Sequence, residues 1–221
     1  MQRGQRTTIV RVQAQGGRTA GHGRAALVAV LAVLLLAGLT RARNEVWKTR
    51  TGIWENAVIG NPKSSRAHYN LAREYEAAGS RARAIAHYRS AIGLRPDYAE
   101  AHNNLGNIQM SRGDYGAAIE AFRLVTRLRP SAPLPHDNLA FAYFKLGRMR
   151  RAVEEYQKAI GLAPYHAEIH NNLGYVYLQM GETDKAVREF ETALALAPEQ
   201  RVVMNNLADA LERQAARERR R

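Results

Sequence analysis

Apolar and polar positions along this chain repeat with two nested periods. The shorter one is helical. Between Ala167 and Gln200, the residues Ile169, Leu173, Val176, Tyr177 and Met180 recur every three or four positions, as on the buried face of a helix. Gly181 interrupts that pattern where a left-handed residue can close a helix. A second helical set, Ala186, Val187, Phe190, Ala193, Leu194 and Ala197, then runs up to Pro198, which forbids continuation. The longer period is 34 residues, and proline marks it without slippage at Pro62, Pro96, Pro130, Pro164 and Pro198. The same interval separates Leu71, Leu105, Leu139, Leu173 and Leu207, and also Gly79, Gly113, Gly147 and Gly181. An aromatic series, Trp54, Tyr88, Phe122, Tyr156 and Phe190, keeps step, as do the small residues Ala84, Ala118, Ala152 and Ala186. Self-similarity at a fixed period of this length predicts a helical solenoid.

Each unit reads as an antiparallel helix pair. Gly174 and Ala186 are small where two helices approach closely, while Tyr177 and Phe190 are large where a gap is filled at core density. One pair cannot bury its apolar face alone and must stack on its neighbours. The pattern resembles the tetratricopeptide repeat, whose first helix carries Trp/Leu/Gly/Tyr positions and whose second carries Ala/aromatic/Ala/Pro. Four full units match, at 65–98, 99–132, 133–166 and 167–200. Two departures stand out. Gln109 takes the place held by Tyr75, Tyr143 and Tyr177 in the other units, and Pro133 with Pro135 stiffens the start of unit three. Both suggest looseness between units two and three.

The flanks follow the same phase. In residues 41–64, Trp54, Ala57 and Pro62 fall on second-helix positions, so a leading half-unit is expected from about Val46 to Gly60. Leu207 and Ala208 fall on first-helix positions, and 201–214 is expected to be a capping helix with polar Asp209, Glu212 and Arg213 outside. Residues 215–221 are expected to be a frayed basic tail. The expected fold is therefore all-α: a tetratricopeptide solenoid of four helix pairs, a leading half-unit and a trailing cap.

The remaining question is the N-terminus. Residues 1–24 hold five Arg and no acid with little apolar content, and read as a disordered basic leader. From Ala25 to Leu39 no side chain is polar. Fifteen helical residues span roughly 22 Å against about 30 Å of bilayer hydrocarbon, and Thr40 with snorkelling Arg24 and Arg41 narrows the gap. A membrane anchor over 25–40, a cleaved signal segment and a buried helix are the alternatives. The anchor is the expectation, because Leu39, Arg41 and Arg43 crowd any small-x-small cleavage site.

The stretch Arg43-Asn44-x-x-Trp47-Lys48-Thr49, with Trp54 and Pro62 after it, is similar to the segment after the last membrane helix of the transmembrane-and-tetratricopeptide-containing family and its bacterial relatives. Those are multi-span, glycosyltransferase-like membrane proteins with repeats facing the lumen or periplasm. The resemblance implies a cytoplasmic N-terminus and a periplasmic or extracytoplasmic repeat region here, as the basic leader also weakly favours. It does not imply transferase activity, since the chain has one apolar segment and none of the multi-span part.

Charge and candidate chemistry complete the reading. Of the formal net charge of +13, much sits in the leader and at 41–50, so the repeats carry no clustered basic footprint for nucleic acid. Cysteine is absent, which removes disulfides and thiolate metal sites. His68, His102, His136 and His170 share the fourth position of their units. Helix axes about 8–10 Å apart hold such residues too far apart for Zn–N bonds of about 2.0–2.1 Å, so they are expected to pack between units. Metal and cofactor are not expected, nor is a catalytic constellation, and the chain reads as a non-enzyme.

Asn70, Asn104, Asn138, Asn172 and Asn206 hold the sixth position, which on one reading is only a solvated face. In the resembled repeat the first helix lines the concave surface. There each amide offers one acceptor and two donors to a peptide backbone. The series resembles the asparagine ladder in the repeats of O-linked N-acetylglucosamine transferase, which holds extended polypeptide. Neighbouring positions add Tyr69 and Arg73, Asn103 and Asn107, Asp137 and Phe141, and Asn171 and Tyr175. Tyr69 stands where a chaperone-tail carboxylate clamp would need Lys, so that clamp is not expected. The expected role is a membrane-anchored scaffold binding extended peptide segments of partner proteins, with the ladder amides free in the groove. The alternative is an accessory or truncated C-terminal part of a membrane glycosylation enzyme that presents polypeptide substrate.

Overall fold

A computed structural model describes residues 27, 28, 30–36, 38 and 49–219. The chain divides into two units, residues 1–53 and 54–221. In the first, the described residues between 27 and 38 are helical and their side chains are exposed. Among the described residues no helix is long and apolar enough to cross a membrane. The expected leader at 1–24 and most of the junction at 41–48 lie outside the described residues, as do parts of 25–40.

Among the described residues ten helices with defined ends follow: α1 (Arg50–Gly60), α2 (Ser65–Ala77), α3 (Arg81–Leu94), α4 (Ala99–Ser111), α5 (Tyr115–Leu128), α6 (Pro133–Lys145), α7 (Met149–Leu162), α8 (Ala167–Gln179), α9 (Thr183–Leu196) and α10 (Arg201–Glu218). Among the described residues there is no strand. Consecutive helices pack pairwise from α2 to α10, both within and between units. The fold is an all-α tetratricopeptide-type solenoid.

Gly and Pro set the helix ends through local backbone geometry. Gly79, Gly113, Gly147 and Gly181 have φ of +72 to +79°, the left-handed closure, and the amide after each reaches back to the carbonyl five residues earlier, as Arg148 does to Tyr143 at 2.9 Å. At the other turn Arg95, Arg129, Ala163 and Ala197 precede the periodic prolines and leave the helical region with φ between −136 and −145°. The cap helix α10, expected to end by residue 214, continues to Glu218. No breaker stands in its way, and Arg213 pairs with Asp209 while Gln214 bonds Asp184 at 2.8 Å.

Tyr88, Phe122, Tyr156 and Phe190 are the largest fully buried side chains. The first helix opposite them alternates with them in size. Tyr88 and Tyr156 belong to the units with Ala72 and Ala140, and Phe122 and Phe190 to those with Gly106 and Gly174. A methyl carbon on Gly106 or Gly174 would lie 2.7 or 2.8 Å from the ring of its phenylalanine, so those helices are in near contact. The apolar core is not continuous. One cluster runs from Leu71 to Ile108, with Trp54 and Val58 of α1 packed on it, and a second from Ala118 to Ala210. They part at Gln109, whose buried Oε1 has no hydrogen-bond partner among the described residues.

Candidate functional site

The first helices of the units, α2, α4, α6 and α8, together with α10, carry the asparagine series. Each of these amides is half-buried, and all but Asn70 are engaged with the unit before. Asn138 Nδ2 donates to Asn103 Oδ1 at 3.0 Å, Asn172 Nδ2 to Asp137 Oδ1 at 3.2 Å, and Asn206 Nδ2 to Asn171 Oδ1 at 2.9 Å. Asn104 Nδ2 donates to the Tyr88 hydroxyl at 3.0 Å and lies 3.5 Å from that of Tyr69. The expectation that these side chains hang free in the groove is thus corrected. Position six of one unit is stitched to position five of the unit before, because stacking brings residues 35 apart to hydrogen-bond distance. An amide has more capacity than one bond uses. The carbonyl oxygen and second N–H of Asn138 and Asn172 keep no protein partner among the described residues.

Two cavities open along this series. One, of about 340 Å³, is lined by Tyr69, Asn103, Asn104, Asn138 and the Pro133-Leu134-Pro135 start of α6. The other, of about 260 Å³, is lined by Phe141, Phe144, Asn171, Asn172, Tyr175 and Asn206. Asn70, Arg73 and Asn107 line neither. Phe144, absent from the sequence-based set, joins Phe141 and Tyr175 in an aromatic patch with ring centroids 6.3 and 5.6 Å apart. Phe141 and Tyr175 remain 45% and 40% exposed although each packs a ring against Phe144. Lys145 sits 6.0 Å over the Phe141 ring and Arg73 6.0 Å over that of Tyr69.

Charge around these cavities is sparse and specific. Burial pushes the Glu100 carboxyl up, but its backbone hydrogen bond and its ion pair with Arg129 outweigh that and hold it below its ordinary value. Asp137 goes the other way: burial raises it, and the hydrogen bond from Asn172 offsets only part. Burial, with the hydrogen bond to Glu76 adding, drives the Tyr88 phenol far above its ordinary value.

The histidines sit elsewhere and do a different job from simple packing. His68, His102 and His170 each bond the carbonyl of the proline six residues earlier through Nε2, at 2.9 to 3.0 Å. His136 and His170 reach Glu155 and Glu189 on the second helix of their own unit at 2.7 Å. His68, through His87, and His170 thus tie the preceding turn to the second helix of their unit, whereas His102 bonds the turn alone and His136 the second helix alone. Among the described residues no cluster suited to a metal ion is present.

Sequence profiles described as tetratricopeptide repeat match residues 54–97, 69–133 and 131–199. The human and mouse proteins named Protein O-mannosyl-transferase TMTC1 are each 36% identical over 67 residues, 30% of this chain. The chain spans under a tenth of those relatives, 8% and 7% of their length. Among solved structures, that of MamA protein superposes with a TM-score of 0.65 at 24% identity, covering 70% of this chain and 85% of that one. YrrB, described as a TPR protein with an unusual peptide-binding site, gives 0.64 at 21% identity, covering 75% and 85%. Likeness at this level concerns the fold.

Proposed function

Because the chain belongs to the tetratricopeptide repeat family, we propose that its first helices hold an extended peptide segment of a partner protein. The observation that carries this reading is the pair of cavities strung along one face, each walled by ladder amides with unused hydrogen-bonding capacity. Asn138 and Asn172 offer one acceptor and one donor each to a passing backbone, and the exposed Phe141 and Tyr175 offer apolar contact that tolerates varied side chains. The partner binds by its backbone and its apolar side chains. The apolar segment 25–40 anchors the chain in a membrane, with the repeats on the extracytoplasmic side. Alkaline extraction of membranes tests the anchor: the protein stays with the pellet if the reading holds and is released if it does not.

Fluorescence anisotropy with a panel of labelled unstructured peptides tests the groove. Phe141→Ala with Tyr175→Ala should weaken every peptide that binds by about tenfold or more, as for loss of buried aromatic anchors. Unaltered affinity in the double variant rules this face out.

A second reading has its own observation, the 36% identity to an O-mannosyl-transferase over the repeats. On it, the chain is the polypeptide-presenting part of a membrane glycosylation system. Mass spectrometry of the polypeptides bound to the purified full chain distinguishes the two: O-linked hexose on them favours this reading, and unmodified segments favour a general scaffold.

A further inference from the structure

Away from the asparagine series, α5, the end of α6 and the start of α7 enclose a cavity of about 590 Å³ walled by four arginines, Arg123, Arg127, Arg148 and Arg151. Glu155 is the carboxylate in that wall, and it is already occupied, accepting from Lys158 Nζ at 2.8 Å and His136 Nδ1 at 2.7 Å. Arg123 and Arg151 make exposed pairs with Glu120 and Glu154 on their own helices, at 3.5 and 2.9 Å, which stabilise little. Arg127 and Arg148 have no carboxylate partner among the described residues.

Comparison between the repeats makes the concentration of charge specific. Arg148 is the N-cap of α7, where the other second helices have Ser80, Asp114 and Glu182. Asp114 accepts from the Ala117 amide there at 3.3 Å. A guanidinium cannot accept, and it adds positive charge to the positive end of a helix. The floor of the cavity is also unpaired. Tyr75 donates its hydroxyl to Glu55 and Tyr177 accepts from Gln157, each partner lying 20 residues earlier. In unit three that partner position is Arg123, and Tyr143, 9% exposed, lines the cavity with a hydroxyl that has no hydrogen-bond partner among the described residues.

Four planar donors, a helix start without its side-chain acceptor and a buried phenolic donor converge on one space. Each of these groups can donate, and the one carboxylate in the wall, Glu155, is already taken by Lys158 and His136. We propose that this cavity binds a multiply charged phosphate group on a small molecule, with guanidinium forks on its outer oxygens and the Tyr143 hydroxyl donating from the floor. The volume leaves room for a diphosphate or for the organic remainder of a phosphate ester.

Isothermal titration of the full chain in detergent with inorganic pyrophosphate, and with inorganic phosphate beside it, tests the site. Pyrophosphate should bind saturably and more tightly than phosphate, and added salt should weaken it. Arg148→Asp installs the capping residue that unit two has, so the helix is retained, and it should lower affinity by about tenfold or more. Tyr143→Phe keeps the ring and removes the donor, and should weaken binding by a smaller factor. Arg89→Ala, an exposed arginine at the position equivalent to Arg123 in unit one, should change nothing. Titration with a short-chain phosphatidic acid in the same detergent separates two sources of the same chemistry. Binding tighter than that of pyrophosphate and weakened by Arg148→Asp places the phosphate on a lipid headgroup, and binding weaker than that of pyrophosphate places it on a soluble molecule. No saturable heat with pyrophosphate, or equal affinity in wild type and Arg148→Asp, overturns the proposal.

Discussion

At the scale of single residues, the ladder couples the proposed binding face to the stacking of the units. Asp137 is its odd member, because the equivalent acceptors in the neighbouring units are Asn103 and Asn171. Its carboxyl is raised by burial, so ionisation is less favourable folded than unfolded. The sign follows from proton counting. As pH rises through the ordinary carboxylate value, the unfolded chain releases its proton first while the folded chain keeps it, and stability falls until the raised folded value is passed. Above that point the loss is constant. Asp137→Asn keeps an oxygen for Asn172 and removes the charge. It should therefore raise the urea midpoint at neutral pH and leave it unchanged near pH 3, where both states carry the proton, at about or below the ordinary carboxylate value. A gain of equal size at both pH values would refute this electrostatic origin.

At the scale of elements, the fit between the two helices of a unit depends on paired sizes. Gly174 lets α8 approach Phe190 so closely that an added methyl carbon would lie 2.8 Å from the ring. Gly174→Ala gains helix propensity and loses this fit, and overpacking of this kind costs about 1–3 kcal/mol. Adding Phe190→Tyr, the partner that Ala72 and Ala140 have in their units, should recover part of the loss if ring position sets the fit. Thermal unfolding of the two variants decides it, and equal losses in both would contradict the argument.

The helix ends were legible in the sequence because Gly and Pro act on their own backbone. Gly147 needs its left-handed φ and Pro130 excludes a helical Arg129 wherever the rest of the chain lies. The partners of the ladder amides were not legible from the 34-residue register. Asn138 meets Asn103 at an offset of 35, and that offset becomes a contact only when the units stack. Phe144 was overlooked for a similar reason, since it joins Phe141 and Tyr175 across two units. The arginine cavity did leave a signal, a basic residue at a capping position held by Ser80, Asp114 and Glu182 elsewhere.

At the scale of the molecule, the repeat region has two apolar clusters that part at Gln109. A buried carbonyl without a partner costs stability, and Leu105, Ile108 and Met110 around it belong to one cluster or the other. Gln109→Leu should join them and raise stability by about 1 kcal/mol, read as a shift of the urea midpoint. A lower midpoint would mean that the amide has a role in holding α4.

The central claim is that one face of this solenoid holds an extended polypeptide through its amide ladder. Anisotropy of a labelled peptide selected on the wild-type chain, measured on Asn138→Ala, Asn172→Ala and His136→Ala with the unfolding midpoint of each, tests it most directly. Each asparagine variant should lose about 1 kcal/mol of stability, from the stitch to the preceding unit, and about 1–3 kcal/mol of peptide affinity while folded. His136→Ala, which cuts the bond to Glu155 away from the ladder, should lose stability and keep its affinity. Full affinity in both asparagine variants, with loss of binding in a folded His136→Ala, would contradict the account.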